Sequence, residues 1–393
     1  MNLRKGLNMK IKLTDEVIDK IDRVTNVSYW NAEIDKNLYA YVIKGLYFPK
    51  PHELYEDAKD FQYAMEEHTF YYNDDESIIG SAIYGVLNSV IEDEENFLPA
   101  EILSLIIRNG KIMKKEDCDE HNKDPFVKNI KLENITYGDK ILFQCSLSPY
   151  TMFEYDNASF HNGLYIPKFA ISTQELLCPT IKLTNGDYWE TVTPRVVKLC
   201  KPHIKKASGN VLVLGNGLGY FPYMISSKKN VKSITIVEKD EEVLEIFKQH
   251  ILPQFKHKDK ISVICADPIE YLENVSDGQY DYCFADLWQW EESDSIYITA
   301  KALCKLFKKM QVEYWLEEDF IQTISSCISE IIEVQYAEQT GESIEKLGDY
   351  TEYEQFVVDY LENILEDYQV RKPSDFDNLL KPEELKVFLT KHN

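Results

Sequence analysis

The chain of 393 residues is short of basic residues and lacks both a paired-cysteine motif and a long apolar run. Its 43 lysines and arginines stand against 67 aspartates and glutamates, and the net charge of −24 disfavours nucleic acid and anionic membrane surfaces as partners. The eight cysteines have no CxxC spacing, which is typical of reduced cytosolic thiols rather than of a disulfide framework. No run approaches the roughly 18 apolar residues of a membrane span, and the N-terminus has no apolar segment of signal-peptide length. We therefore expect a soluble cytoplasmic protein that binds neither nucleic acid nor membrane.

The most informative segment is 210–219, in which a short apolar run ends at three glycines on alternate positions. An apolar run too short for a helix is typical of a buried parallel strand. Gly215, Gly217 and Gly219 allow a tight turn into a helix, and they let a ligand approach main-chain N–H groups such as that of Asn216. We predict that a nucleotide-like small molecule binds here, at the end of a strand.

The sequence patterns divide the chain into four regions. They are a helical N-terminal module over 1–124, a small β region with a hairpin over 125–193, an α/β core over 194–320 and a helical, acidic C-terminal extension over 321–393. In the first region, apolar residues recur at helical spacing over 54–65 and again over 79–90. In the second, the Asn185-Gly186 pair predicts a hairpin that joins 180–183 to 187–191.

The core alternates short apolar strands with segments of helical length. The predicted strands are 211–214, 233–237, 261–265, 280–285 and 312–316. Alternation at this spacing predicts an α/β fold with a doubly wound, mostly parallel sheet.

Acidic residues follow three of these strands, where an open α/β sheet binds its ligands. Glu238 comes 19 residues after Gly219, a separation that suits hydrogen bonds to both hydroxyls of a ribose. Asp267 would accept a hydrogen bond from an exocyclic amine or support its turn. Asp286 is the first candidate for a catalytic residue that contacts the acceptor or acts as a base, with helix capping or cofactor contact as the alternatives.

Several other residues are interpreted as structural. Glu190 is expected to be a solvated hairpin acid rather than a group over the pocket. Tyr188, Trp288 and Trp290 are assigned to ordinary packing ahead of an aromatic cage for a cation. The segment 116–121 has metal-ligand residue types but no suitable spacing, so it is expected to be a solvated acidic loop, and no metal site is predicted.

The residues directly after the glycines narrow the choice of ligand. Tyr220 breaks the GxGxxG pattern of a dinucleotide site, and the bulky run over 220–223 disfavours a pyrophosphate at the helix N-terminus. A sulfonium nucleoside carries no phosphate and tolerates this run.

Residues 179–320 resemble the class I S-adenosylmethionine-dependent methyltransferases, in the branch similar to spermidine synthases. The segments that carry the resemblance are 211–219, 236–240, 266–267, 280–286 and the hairpin 182–190. The resemblance implies a Rossmann-like core with S-adenosyl-L-methionine as cofactor. It further implies that the glycines hold the amino-acid part of the cofactor, Glu238 the ribose and Asp267 the adenine side.

The sequence departs from the spermidine synthases after the fourth strand. Where those enzymes carry an Asp-Ser/Thr-Asp/Glu type of sequence, this chain reads Asp286-Leu-Trp-Gln and loses the acid pair that handles the amine. We therefore expect a methyltransferase that acts on an unidentified small-molecule or protein acceptor. The alternatives are a polyamine aminopropyltransferase and a non-catalytic module that binds S-adenosylmethionine, and a homodimer stays open.

Overall fold

The computed structural model describes residues 9–39, 73–90, 98–287, 293–342 and 351–392. The α-helices in these ranges are α1 Asp15–Ile34, α2 Asp74–Val90, α3 Ala100–Asn109, α4 Lys115–Asn122, α5 Pro125–Asn129, α6 Pro194–Lys206, α7 Tyr220–Ser226, α8 Glu241–Ile246, α9 Pro268–Glu273, α10 Ser293–Cys304, α11 Glu317–Thr340, α12 Glu352–Leu365, α13 Asp377–Leu380 and α14 Pro382–His392. The strands are β1 Lys10–Ile11, β2 Lys111–Met113, β3 Ile135–Tyr137, β4 Lys140–Leu147, β5 Met152–His161, β6 Leu164–Ser172, β7 Leu176–Leu183, β8 Tyr188–Thr191, β9 Gly209–Leu214, β10 Val231–Glu238, β11 Ile261–Cys265, β12 Tyr282–Ala285, β13 Gln311–Tyr314 and β14 Gln369–Val370. Short π- and 3₁₀-helical turns lie at Asp35–Tyr39, Phe247–Ile251, Leu252–Gln254, Lys258–Lys260 and Pro373–Phe376.

The core is one parallel sheet with the strand order β11-β10-β9-β12-β13. This confirms the predicted α/β fold with a parallel, Rossmann-like sheet. The order reverses between β9 and β12, and ligands of such sheets bind at the carboxyl ends of the strands beside this switch point. The glycine turn after β9 therefore lies between the ends of β10 and β12.

The central strand is buried on both faces, which explains its unbroken apolar sequence. Val211 and Val213 belong to one hydrophobic cluster, while Leu212 and Leu214 belong to another on the opposite face. The predicted strand 261–265 coincides with β11, but the predicted fifth strand ends two residues early. The reason is that Leu316 adopts a left-handed φ of +55° and α11 begins at the next residue.

The region before the core contains an antiparallel sheet with the order β3-β4-β7-β8 and a second sheet with the order β2-β6-β5. β7 and β8 form a hairpin in which Gly186 has a φ of +101° and Leu183 N–H donates to Asp187 O at 2.7 Å. The register shifts beside Trp189, and such a bulge changes where side chains point. Leu142 and Ile181 share a hydrophobic cluster with β9 and β10, so this sheet packs against the parallel core.

Helices near the two ends of the described chain pack against each other. α1 packs against α11, and β1 pairs in parallel with β14, so the two ends of the described chain share a hydrophobic cluster. α2 covers the apolar spacing of 79–90, whereas the helix predicted over 54–65 lies outside the described residues. None of the helices in the described ranges combines the length and apolar character needed to cross a membrane.

The segment 116–121 is helical, so the expectation of a solvated loop is wrong. Lys114 N–H donates to the Asp117 carboxylate at 3.2 Å and caps α4, and Asp119 pairs with Lys115 at 2.9 Å. The helix buries Cys118 and His121, leaves Asp117 and Asp119 half-buried, and exposes Glu116 and Glu120. Among the residues that the structure describes, no group of three or more His, Cys, Asp or Glu side chains is arranged to hold a metal ion.

Candidate active site

A pocket of about 730 Å³ lies at the carboxyl ends of β9, β10 and β12. The polar residues of its wall include Tyr188, Glu190, Cys200, Asn216, Glu238, Lys239, Asp267 and Asp286. Gly215 and Gly217 also line it. The predicted site residues thus meet in one cavity, with Gly219 outside its lining.

Each of the three positions in the turn requires glycine for a different reason. All have positive φ, at +79°, +48° and +76° for Gly215, Gly217 and Gly219. A Cβ on Gly215 would overlap the main-chain carbonyl of Asp286, and one on Gly219 would meet the ring of Phe247. These two glycines allow close packing of the protein itself, whereas the missing Cβ of Gly217 leaves room for the carboxylate of Glu190.

Glu238 ties the end of β10 to the glycine turn. Its side chain is buried, with Oε2 accepting from Asn216 N–H and Oε1 accepting from Asp240 N–H, both at 2.9 Å. Burial raises the pKa of this carboxyl, although the main-chain N–H groups act in the opposite direction. The carboxylate is therefore rigidly held beside the turn, as a group that binds a ribose needs to be.

Asp267 caps α9. Its Oδ1 accepts from Ile269 N–H at 2.8 Å and from Glu270 N–H at 3.1 Å, while Pro268 occupies the first helical position. The carboxylate thus supports its turn, which is one of the two alternatives that the sequence left open. It also lines the pocket, and its role beside an adenine stays a prediction.

Asp286 follows β12 and opens onto the pocket from the opposite side of the turn. Its N–H donates to Leu214 O at 2.8 Å, which fixes the residue against the end of β9. Burial, and then the nearby Glu238 carboxylate, raise the pKa of Asp286 to about 7. A carboxyl with this pKa can exchange a proton near neutral pH.

Glu190 is part of the site, so its assignment as a solvated hairpin acid is wrong. Its carboxylate accepts from Leu218 N–H and lies where a Cβ on Gly217 would be. Burial, and then Asp286, raise the pKa of Glu190 to about 8, while the Leu218 N–H opposes the shift. The hairpin motif placed Glu190 in a strand near the core. Its contact with Leu218 N–H depends on the bulge of the hairpin and on the glycine turn 28 residues later, which the motif does not indicate.

Aromatic side chains form the remaining wall. Phe221 and Phe284 stack at 4.0 Å between ring centroids, and Trp189 and Trp315 also line the pocket. Tyr188 lines the pocket and is 52% exposed, which is compatible with the predicted packing at a sheet edge. The predicted positions 288 and 290 lie outside the described residues.

Residues 195–373, a little under half of the chain, match the family model of the spermine/spermidine synthase domain. No curated protein matches the chain. Among solved structures, a conserved hypothetical protein of Streptococcus pyogenes is 21% identical, with a TM-score of 0.21, over 25% of this chain and 59% of that one. The spermidine synthase of Thermotoga maritima is 15% identical, with a TM-score of 0.24, over 32% of this chain and 48% of that one.

The chain thus spans about half the length of the solved structures that it matches. The two structural similarities are weak at these TM-scores. The family match and the order of the parallel sheet are the stronger observations. Residues 195–373 are thus similar to the spermine/spermidine synthase domain, and they include a Rossmann-like parallel sheet.

Proposed function

We propose that this protein is a transferase that moves an aminopropyl group from a sulfonium nucleoside to an amine. The match to the spermine/spermidine synthase domain supports this alternative better than the methyltransferase expected from the sequence. The observation that carries the proposal is the position of Glu190, whose carboxylate covers Gly217 and accepts from Leu218 N–H.

This carboxylate affects which nucleoside fits. A turn that holds the amino-acid part of S-adenosylmethionine needs free main-chain N–H groups for the methionine carboxylate. Here Glu190 already takes the Leu218 N–H. A second carboxylate would find this donor occupied when Glu190 is protonated, and it would also meet like charge when Glu190 is ionised. Decarboxylated S-adenosylmethionine lacks that carboxylate and keeps a cationic amine, so it suits the site better.

The pocket residues fit such a ligand. Glu238 would bind the ribose hydroxyls, Asp267 and the adjoining turn would lie by the adenine, and Glu190 would hold the ammonium of the tail. When bound, the sulfonium nucleoside supplies the alkyl carbon that is transferred. The lone pair of the acceptor nitrogen forms the new C–N bond to this carbon, while its C–S bond breaks and leaves the electron pair on sulfur.

Asp286 and Glu190 would prepare the acceptor. An amine is protonated at neutral pH, so a base must take one proton before its lone pair can attack. Asp286, with a pKa raised to about 7, is suited to this task, and Glu190 supplies from the hairpin the second acid that 286–289 lacks. The negative pocket would also attract a cationic amine.

Calorimetry with the purified chain tests the proposal. We expect decarboxylated S-adenosylmethionine to bind about tenfold more tightly than S-adenosylmethionine, a difference of about 1.4 kcal/mol, and Glu190→Gln to remove this preference. Asp187→Asn, which neutralises an exposed acid of the same hairpin, is the matched control and should keep the preference.

Mass spectrometry of the reaction with putrescine gives the second readout. The expected products are the aminopropylated amine and methylthioadenosine. Equal or tighter binding of S-adenosylmethionine, or formation of S-adenosylhomocysteine, would instead support methyl transfer, and binding of neither nucleoside would remove the assignment.

A further inference from the structure

Lys140 lies buried where the antiparallel sheet β3-β4-β7-β8 meets the parallel core. It is far from the pocket residues in sequence. It is the first residue of β4, and its side chain is 5% exposed. Its ammonium contacts Asp240 and Asp139 at 2.9 Å each and Glu242 at 3.4 Å. Burial lowers the pKa of Lys140, but these partners outweigh it and hold the pKa above its ordinary value, so the side chain is charged.

The ion pairs join this ammonium to the ribose side of the pocket. Asp240 uses Oδ2 for Lys140 and Oδ1 to accept from Val243 N–H at the start of α8, at 2.9 Å each. Its own N–H donates to Glu238 Oε1. A single residue, Asp240, thus connects Lys140 to the buried carboxylate.

The same ammonium contacts the hairpin side of the pocket. Its Nζ lies 4.6 Å from the centre of the Trp189 ring, a cation–π distance. Trp189 is at the bulge of β8 and directly precedes Glu190. Because a bulge is less constrained by the ladder than a regular strand, its direction depends on such side-chain contacts.

We propose that Lys140 is a positioning residue that holds Trp189 and Glu190 over the glycine turn by bridging the hairpin to Asp240. This inference rests on the proposed function for its effect on nucleoside binding. Its structural part, the order of the hairpin and the turn, is independent of any ligand.

Hydrogen–deuterium exchange of the full chain tests the structural part. In Lys140→Met we expect exchange in 184–192 and 215–219 to become at least about fivefold faster, with 209–214 unchanged. Lys140→Arg should restore slow exchange because it keeps the charge. Lys182→Met is the matched control, since Lys182 lies 5.1 Å from the Phe143 ring on the same sheet but outside the pocket.

Asp240→Asn keeps the test decisive if Lys140→Met does not fold. Asparagine still caps α8 and keeps its N–H on Glu238, so chiefly the ion pair with Lys140 is lost. It should give a smaller increase in the same two segments, because Asp139 and Glu242 still contact the Lys140 ammonium. Unchanged exchange in both segments, or an equal increase along the whole chain, would overturn the proposal.

Affinity for methylthioadenosine gives the functional readout. We expect Lys140→Met to weaken its binding about tenfold, a loss in the range of a desolvated cation–π contact. Asp240→Asn keeps the contact of Lys140 with Trp189 and should weaken binding less, and Lys182→Met should keep wild-type affinity. Wild-type affinity in both variants would contradict the positioning role. If the wild-type protein binds no nucleoside, the proposed function fails, while the exchange experiment still decides whether Lys140 orders the hairpin.

Discussion

Replacing Glu190 by glutamine should make the protein more stable at alkaline pH and leave it nearly unchanged at acid pH. The pKa of Glu190 is raised from its ordinary 4.5 to about 8, so the folded protein holds this proton more tightly than the unfolded chain. Stability from such a group is fully present below the unfolded value and is lost as the pH rises through about 8. Glutamine cannot ionise, so the variant escapes this loss, while its side-chain oxygen can still accept from Leu218 N–H.

The size of the effect can be worked out from the pKa. Raising it from 4.5 to about 8 corresponds to at most about 5 kcal/mol, at about 1.4 kcal/mol for each tenfold change in proton affinity. The side chain opens onto the pocket, so water reduces this value, and we expect about 1–2 kcal/mol. In a chain of 393 residues that is a rise in Tm of about 1–3 °C.

Thermal unfolding measured from about pH 5 to about pH 9 tests this prediction. The Tm of Glu190→Gln should lie close to wild type near about pH 5, exceed it increasingly as the pH rises toward about 8, and keep a constant excess above that pH. Asp187→Asn, an exposed acid on the same hairpin, should show no such divergence. A Glu190→Gln variant with a wild-type pH dependence, or one less stable at alkaline pH, would refute the burial of Glu190 as the cause of its raised pKa.

Other predictions concern the walls of the pocket. Gly217→Ala should weaken nucleoside binding at least about tenfold in calorimetry, because its Cβ would overlap Glu190. Gly186→Ala is the control for backbone strain, since its φ of +101° is also positive while its Cβ would have nothing within 4 Å, so it should keep wild-type affinity. Asp286→Asn should lower kcat more than KM and abolish the rise in rate through about pH 7, since the base must be deprotonated; an unchanged pH–rate profile would exclude Asp286 as that base. Asp267→Ala should lower stability by about 1 kcal/mol through loss of the α9 cap, and Asp267→Asn should largely retain it in thermal unfolding; equal losses would argue against capping.

The parallel core could be predicted from the sequence because its information is local. A buried parallel strand has a short apolar sequence, and β11 coincides with the predicted strand 261–265. The end of the fifth strand was misplaced because the left-handed conformation of Leu316 does not follow from its residue type. Leucine rarely adopts positive φ, so nothing in the sequence indicates the break.

The site was predictable on one side only. Glu238 is the last residue of β10 and Asp286 directly follows β12, so their meeting follows from the sheet order alone. The place of Glu190 depends on a hairpin bulge and on contacts of Lys140 across the two sheets, which are long-range features. The charged run at 116–121 was misassigned for a different reason. The contacts of Asp117 with Lys114 N–H and of Asp119 with Lys115 stabilise a helix there, although Glu116 and Glu120 stay exposed.

The two raised pKa values have a consequence for ligand binding. Near neutral pH, Asp286 with a pKa of about 7 and Glu190 with a pKa of about 8 hold about one proton between them. A cation that enters the pocket favours the charged form of both carboxyls, so it should displace on the order of one proton, whereas neutral methylthioadenosine should displace far less. Calorimetry in two buffers of different ionisation enthalpy measures this release. If decarboxylated S-adenosylmethionine gives the same apparent enthalpy in both buffers, the carboxyl pair does not contact its cationic tail. Glu190 would then not be the group that selects a nucleoside without a carboxylate.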